Sequence, residues 1–174
     1  MNGKNIALSV MVSAGLLFGQ VTLYPEASVL RQEVGGVFQN FNHASTIAEA
    51  SNGDLVIAWY GGGSEGSSST RIWYSRKVKG SDVWTDAVPV DAGGEDASSC
   101  WNPVLFQPKK AGAPLLLYYK YSGNPNNWKG VVRTSTDNGA TWSERIQLPS
   151  CSNPYPLCSQ YGCFSGPTKN KPLE

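Results

Sequence analysis

Ser135-Thr136-Asp137-Asn138-Gly139-Ala140-Thr141-Trp142 decides the fold of this chain. Before it, Val131-Val132-Arg133-Thr134-Ser135 has strand composition, rich in β-branched residues. Asp137-Asn138-Gly139 then reads as a tight turn, with Gly139 supplying the positive φ that side-chain-bearing residues avoid. The Asp137 carboxylate is placed to accept hydrogen bonds from backbone N–H groups of its own turn. Trp142 is placed to fold back as an apolar plug beside the next strand. The motif closes a hairpin and carries no chemistry of its own.

A second, degenerate copy lies upstream. Arg71-Ile72-Trp73-Tyr74-Ser75-Arg76 precedes Gly80-Ser81-Asp82-Val83-Trp84-Thr85, and Val88-Pro89-Val90 follows; the later copy continues through Ile146-Gln147-Leu148-Pro149. Trp84 to Trp142 is a step of 58 residues, and Leu55-Val56-Ile57-Ala58-Trp59-Tyr60 matches Leu115-Leu116-Leu117-Tyr118-Tyr119-Lys120 at a step of 60. A period of this size with several short strands per unit predicts β-propeller blades. No sustained helical period is present beyond the N-terminus. Arg71 and Arg133 read as occupying corresponding places in the two units, which gives both a structural role.

Composition agrees with an all-β, turn-rich domain: 19 Gly, six Trp and eight Tyr in 174 residues. Charged residues make up 16% and the net charge is +1, so no electrostatic attraction to nucleic acid or anionic membranes is implied. No phosphate-binding loop, dinucleotide fingerprint or serine-hydrolase elbow is present, and no cofactor is expected. Residues 1–20, with Lys4 and the apolar run Ile6 to Phe18, suit a secretory signal peptide and are too short for a stable membrane span; an uncleaved anchor is the alternative. Cys100, Cys151, Cys158 and Cys163 are spaced unlike a zinc site, so no metal is expected. In an oxidising compartment they are disulfide candidates, with three possible pairings.

Several motifs extend the reading. Phe41-Asn42-His43-Ala44-Ser45-Thr46-Ile47, Gly62-Gly63-Ser64-Glu65-Gly66, Cys100-Trp101-Asn102-Pro103-Val104-Leu105-Phe106 and Gly166-Pro167-Thr168-Lys169-Asn170-Lys171-Pro172 join the turn motif. Together they resemble the BNR-repeat branch of the sialidase (neuraminidase) superfamily, and Ser135, Asp137, Gly139, Thr141 and Trp142 resemble its Asp-box. The resemblance covers residues 38 to 174. It implies an incomplete sialidase-type β-propeller, about two blades plus the first strand of a third. The expected order is a signal peptide at 1–20, a lead-in at 21–40 and blade one at 41–91. Blade two follows at 100–149, then a Cys-rich insertion at 150–165 and the start of blade three at 166–174. Six blades of this size need roughly 350 residues, so the chain is expected to be the N-terminal part of such a propeller.

Sialidases are six-bladed hydrolases in which three arginines hold the substrate carboxylate, an Asp is the acid/base and a Tyr assisted by Glu is the nucleophile. Bidentate Arg–carboxylate pairing explains the arginines. This chain departs from that pattern twice. Asn42-His43-Ala44 stands where the family has Arg-Ile-Pro, and Ser69, Thr70 and Arg71 stand where the acid/base Asp is expected. The catalytic candidates are His43, the only histidine, as an acid/base, and Glu65, in a Gly/Ser loop expected to be flexible. Trp101, Asn102, Lys120, Lys169, Asn170 and Lys171 are candidate substrate ligands. Strand alternation at 166–174 would put Lys169 and Lys171 on one face. The expected function is a secreted exo-glycosidase on terminal acidic sugars, with a glycan as partner and no turnover by these residues alone. A lyase-type propeller on uronic-acid glycans and a non-catalytic glycan-binding module are the alternatives.

Overall fold

The computed structural model describes residues 41–90, 98–122, 128–149 and 166–174. Two four-stranded antiparallel sheets follow one another along the chain, each a simple meander. The first holds β1 (Phe41–Glu49), β2 (Leu55–Gly62), β3 (Arg71–Lys77) and the short β4 (Val88–Pro89); the second holds β5 (Cys100–Phe106), β6 (Leu115–Tyr121), β7 (Lys129–Ser135) and the short β8 (Ile146–Gln147). They are successive blades of propeller type. Among the described residues there is no helix. The signal-like segment, the lead-in and the Cys-rich insertion lie outside the described residues, as do Cys151, Cys158 and Cys163. Cys100 is buried at the start of β5.

Side-chain alternation explains how the blades stack. Val56, Ala58 and Tyr60 share one face of β2 and enter a core with Leu105, Leu115, Leu117 and Tyr119 of the second blade. The other face of β2 supplies Ile57 and Trp59 to a smaller cluster with Trp73, Trp84 and Ala87. β5 is buried along nearly its whole length because it lies against the first blade. Full burial of a side chain such as Leu105 or Leu117 is worth about 1.5–3 kcal/mol, and both lie in the cluster that the two blades share.

Both inner strands carry the same irregularity. Between His43↔Tyr60 and Thr46↔Ala58, two residues of β1 oppose one of β2; between Trp101↔Lys120 and Val104↔Tyr118, β5 does the same against β6. The extra residues are Ala44 and Asn102, with φ of 50° and 44°. These are β-bulges with a left-handed residue. Pro103 is tolerated inside β5 because it falls in the bulge, where no ladder hydrogen bond is required of it.

The Asp137 turn is knit as its sequence dictates. Ser135 Oγ donates to Asp137 Oδ1 at 2.7 Å and accepts from Gly139 N at 2.7 Å, while Thr141 N donates to Asp137 Oδ1 at 2.9 Å. Thr141 Oγ1 donates to Asp137 Oδ2 at 2.5 Å. Desolvation pushes the Asp137 carboxyl upward, but the bonds from Thr141 and Ser135 outweigh it and bring its pKa down to about 2. Trp142 packs against Tyr74 of the first blade, edge-on with ring centroids 5.9 Å apart. Tyr74 Oη donates to Ala140 O, and Ser51 Oγ donates to Asn138 Oδ1. The turn therefore fastens blade to blade as well as closing its own hairpin.

Three expectations change. Arg71 and Arg133 are not equivalent: Arg71 pairs with Gly61, whereas Arg133 pairs with Leu117, the counterpart of Ile57 opposite Ser75. The 58-residue step sets Arg71 against Lys129 and Ser75 against Arg133. Ser75 Oγ and Arg133 Nη1 accordingly donate to equivalent carbonyls, those of Thr85 and Ser143. Residues 166–174 are irregular, with a bend at 168–170, rather than a paired strand, and Pro167 and Pro172 lack the N–H a ladder needs, so alternation does not set the facing of Lys169 and Lys171. The Gly/Ser loop of residues 61–70, expected to be flexible, is hydrogen-bonded throughout. Thr70 Oγ1 donates to Ser64 O at 3.0 Å, and Ser99 Oγ, just before β5, lies 2.6 Å from Gly66 O and 2.8 Å from Ser67 O.

Candidate functional site

The two catalytic candidates meet through a third residue. The register sets Tyr60 on β2 directly opposite His43 on β1. At the end of β2 the chain turns back from Gly62, where a Cβ would lie 2.8 Å from Ser69 O, so only glycine allows the loop to close this tightly. The returning loop brings Glu65 over the same end of the sheet. Tyr60 Oη donates to Glu65 Oε1 at 2.8 Å and lies 2.7 Å from His43 Nδ1. His43 Nδ1 and Glu65 Oε1 are 3.9 Å apart, and these two side chains are 62% and 53% exposed. Tyr60 is 1% exposed, so the phenol is a buried link between two solvent-facing groups. Burial, and then the Glu65 carboxylate, raise its pKa well above the ordinary tyrosine range, which keeps it protonated.

Aromatic rings hold this link in place. Phe41, His43 and Trp101 all pack on the Tyr60 ring with centroids 5.5–5.9 Å apart. Trp101 also meets Trp128, and its indole N–H donates to Ser122 O. It is 6% exposed and belongs to the core, with both neighbouring rings packed on it, so it offers no open face for a sugar to stack on.

Asn102 differs. It is 8% exposed and left-handed, and among the described residues its side-chain amide has no hydrogen-bond partner, while neither amide atom is among the fully buried ones. An amide at the tip of a bulge that no described residue engages is available to a polar ligand. Lys120 sits in blade two where Tyr60 sits in blade one. It is fully buried, and its amino group donates to Gly166 O at 3.0 Å and Pro167 O at 2.8 Å; burial lowers its pKa to about 8. Lys120 thus ties β6 to the segment that follows blade two, and its amino group points to backbone rather than to solvent. Lys171 Nζ donates to Ile47 O of β1, and burial lowers its pKa; Lys169 and Asn170 are exposed.

Sequence reasoning named His43 and Glu65 but not Tyr60, the residue that joins them. Tyr60 was legible only as the last apolar residue of a strand. Its role depends on register, and the bulge at Ala44 sets that register.

Four-stranded meanders repeated along the chain, one of them closed by an Asp-box, define a propeller of the BNR-repeat class. Residues 53–174, more than half of the chain, match the BNR repeat-like domain, and the chain belongs to that family. No curated protein matches it.

Proposed function

We propose that this protein is a sialidase-like glycan-processing protein that acts on terminal acidic sugars. The observation that carries the reading is the hydrogen-bonded set His43–Tyr60–Glu65 at the exposed end of an inner strand. One imidazole and one carboxylate supply an acid and a base within reach of one ligand. The Asn102 amide supplies a hydrogen-bonding partner for a sugar hydroxyl. Exo-glycosidase action fits the family. Elimination at a uronic acid is the second reading, favoured by the imidazole, since proton abstraction beside a carboxylate calls for such a base. Two blades do not close a ring, and positioning from several inner strands supplies much of the rate in such a site.

The 174-residue chain is therefore expected to bind an acidic sugar weakly and to release no fluorescent aglycone from a sialoside. Titration with sialic acid and with glucuronic acid is expected to move the single histidine's NMR signal, while galactose leaves it in place. Asn102→Ala is expected to weaken the binding about fivefold, the worth of one hydrogen bond. A histidine signal indifferent to all three sugars would sink the glycan reading. Turnover that disappears in Glu65→Ala would show that two blades suffice.

Secretion belongs to the same proposal. The apolar N-terminal run and the cysteine spacing support it, with at least one disulfide within residues 151–163. Mass mapping of protein from a secretory host is expected to find that bridge, and four free thiols there would refute it.

A further inference from the structure

The hydrogen bonds around Tyr60 fix where the His43 proton sits. A phenol has one proton to donate, and a carboxylate only accepts. Because Tyr60 Oη donates to Glu65 Oε1, toward His43 Nδ1 it can only accept. Nδ1 must then carry hydrogen, and in the neutral ring the lone pair lies on Nε2. The direct separation of Nδ1 from Glu65 Oε1, 3.9 Å, is too long for a hydrogen bond, so the carboxylate works through the phenol. Tyr60 has no room to turn to another partner, being buried with Phe41 and Trp101 packed on its ring. Glu65 is kept in reach by its loop, which Ser99 holds to the start of β5.

We infer that Glu65 acts through Tyr60 to hold neutral His43 in the Nδ1–H form, so that Nε2 is the basic atom this site presents to a ligand. Tyr60 and Glu65 are positioning residues in this arrangement. Only the use of Nε2 on a sugar rests on the proposed function; the tautomer does not. The inference also gives Glu65 a purpose that does not require it to touch substrate. Aligning a base by a group one hydrogen bond behind it is a general device of acid–base sites.

The chain has one histidine, so its imidazole nitrogens give one unambiguous pair of NMR signals. At a pH where the ring is neutral, the native chain is expected to show a protonated Nδ1 and an unprotonated Nε2. Glu65→Ala frees the Tyr60 proton to turn toward Nδ1. The tautomer ratio is then expected to move toward Nε2–H by about fivefold or more, the worth of one hydrogen bond. Tyr60→Phe, which keeps the ring and removes the acceptor, is expected to leave a mixture of the two forms. An Nε2–H ring in the native chain overturns the inference, as does an unchanged ratio in Glu65→Ala or an unmixed Nδ1–H ring in Tyr60→Phe. The measurement needs no turnover. A correct tautomer in a chain that ignores acidic sugars would sink the proposed function and leave this inference standing.

Discussion

Gly139→Ala is expected to destabilise the protein by about 3 kcal/mol. Two costs add. Gly139 has a φ of 84°, where a residue with a Cβ is strained by about 1–2 kcal/mol. Its added methyl would lie 2.6 Å from Val56 Cγ2 and 3.3 Å from Val56 Cγ1, in the closed core between the blades. Forcing a methyl into a packed core costs about 1–3 kcal/mol. The partner is a β-branched side chain, itself 0% exposed, that has nowhere to move. Urea denaturation measures the loss. In a Val56→Ala background the steric part is expected to shrink while the backbone part remains, so the two substitutions should couple. A loss below about 1 kcal/mol would show that the turn lifts away from the first blade at little cost, and would undo its assignment as a fastening between blades.

Asp54→Ala is expected to cost a comparable amount, about 3 kcal/mol, for an electrostatic reason. Asp54 is 2% exposed and accepts three hydrogen bonds, from Lys79 N at 2.8 Å, Arg76 Nη1 at 2.9 Å and Asn52 Nδ2 at 2.9 Å. Removing the carboxylate leaves an N–H and a half-buried guanidinium without their acceptor. The bonds from Lys79 and Asn52 and the charge of Arg76 outweigh desolvation and hold the Asp54 carboxyl below its ordinary value of 3.8. A carboxyl depressed in the folded state stabilises the protein above its unfolded pKa, and that stabilisation is lost as pH falls through the folded pKa. Stability should therefore decline as pH drops below about 5, with Asp137 contributing down to its pKa of about 2. Asp54→Ala should flatten part of that decline. A variant as acid-sensitive as the native chain would show that Asp54 is not among the groups responsible.

Most of the blade architecture was legible because it rests on local signals. Asp137, Gly139 and Thr141 sit at spacings that a single turn satisfies, and the paired steps of 58 and 60 residues repeat whole strands. The site was legible only in part. His43 and Glu65 announce themselves by residue type, but Tyr60, Trp101 and Lys120 take their roles from which strand face they occupy. That face depends on the bulges at Ala44 and Asn102, which no turn-forming glycine marks in the sequence. Trp101 read as a substrate ligand and proved to be core, because the bulge in β5 leaves it packed between Tyr60 and Trp128. Equating Arg71 with Arg133 failed for a simpler reason: like residues were matched in place of like distances.

Tyr60 and Lys120 hold the same address in successive blades, each opposite the residue before a bulge and each reaching the element beyond its own sheet. One is a phenol on an indole, the other an ammonium on two carbonyls. The scaffold thus demands reach at that address but is indifferent to chemical kind. Such a position can be refitted during evolution without rebuilding the sheets around it. New chemistry in a repeat protein of this type would be expected to arise there first, one blade at a time, while the neighbouring copies go on serving as plain joints.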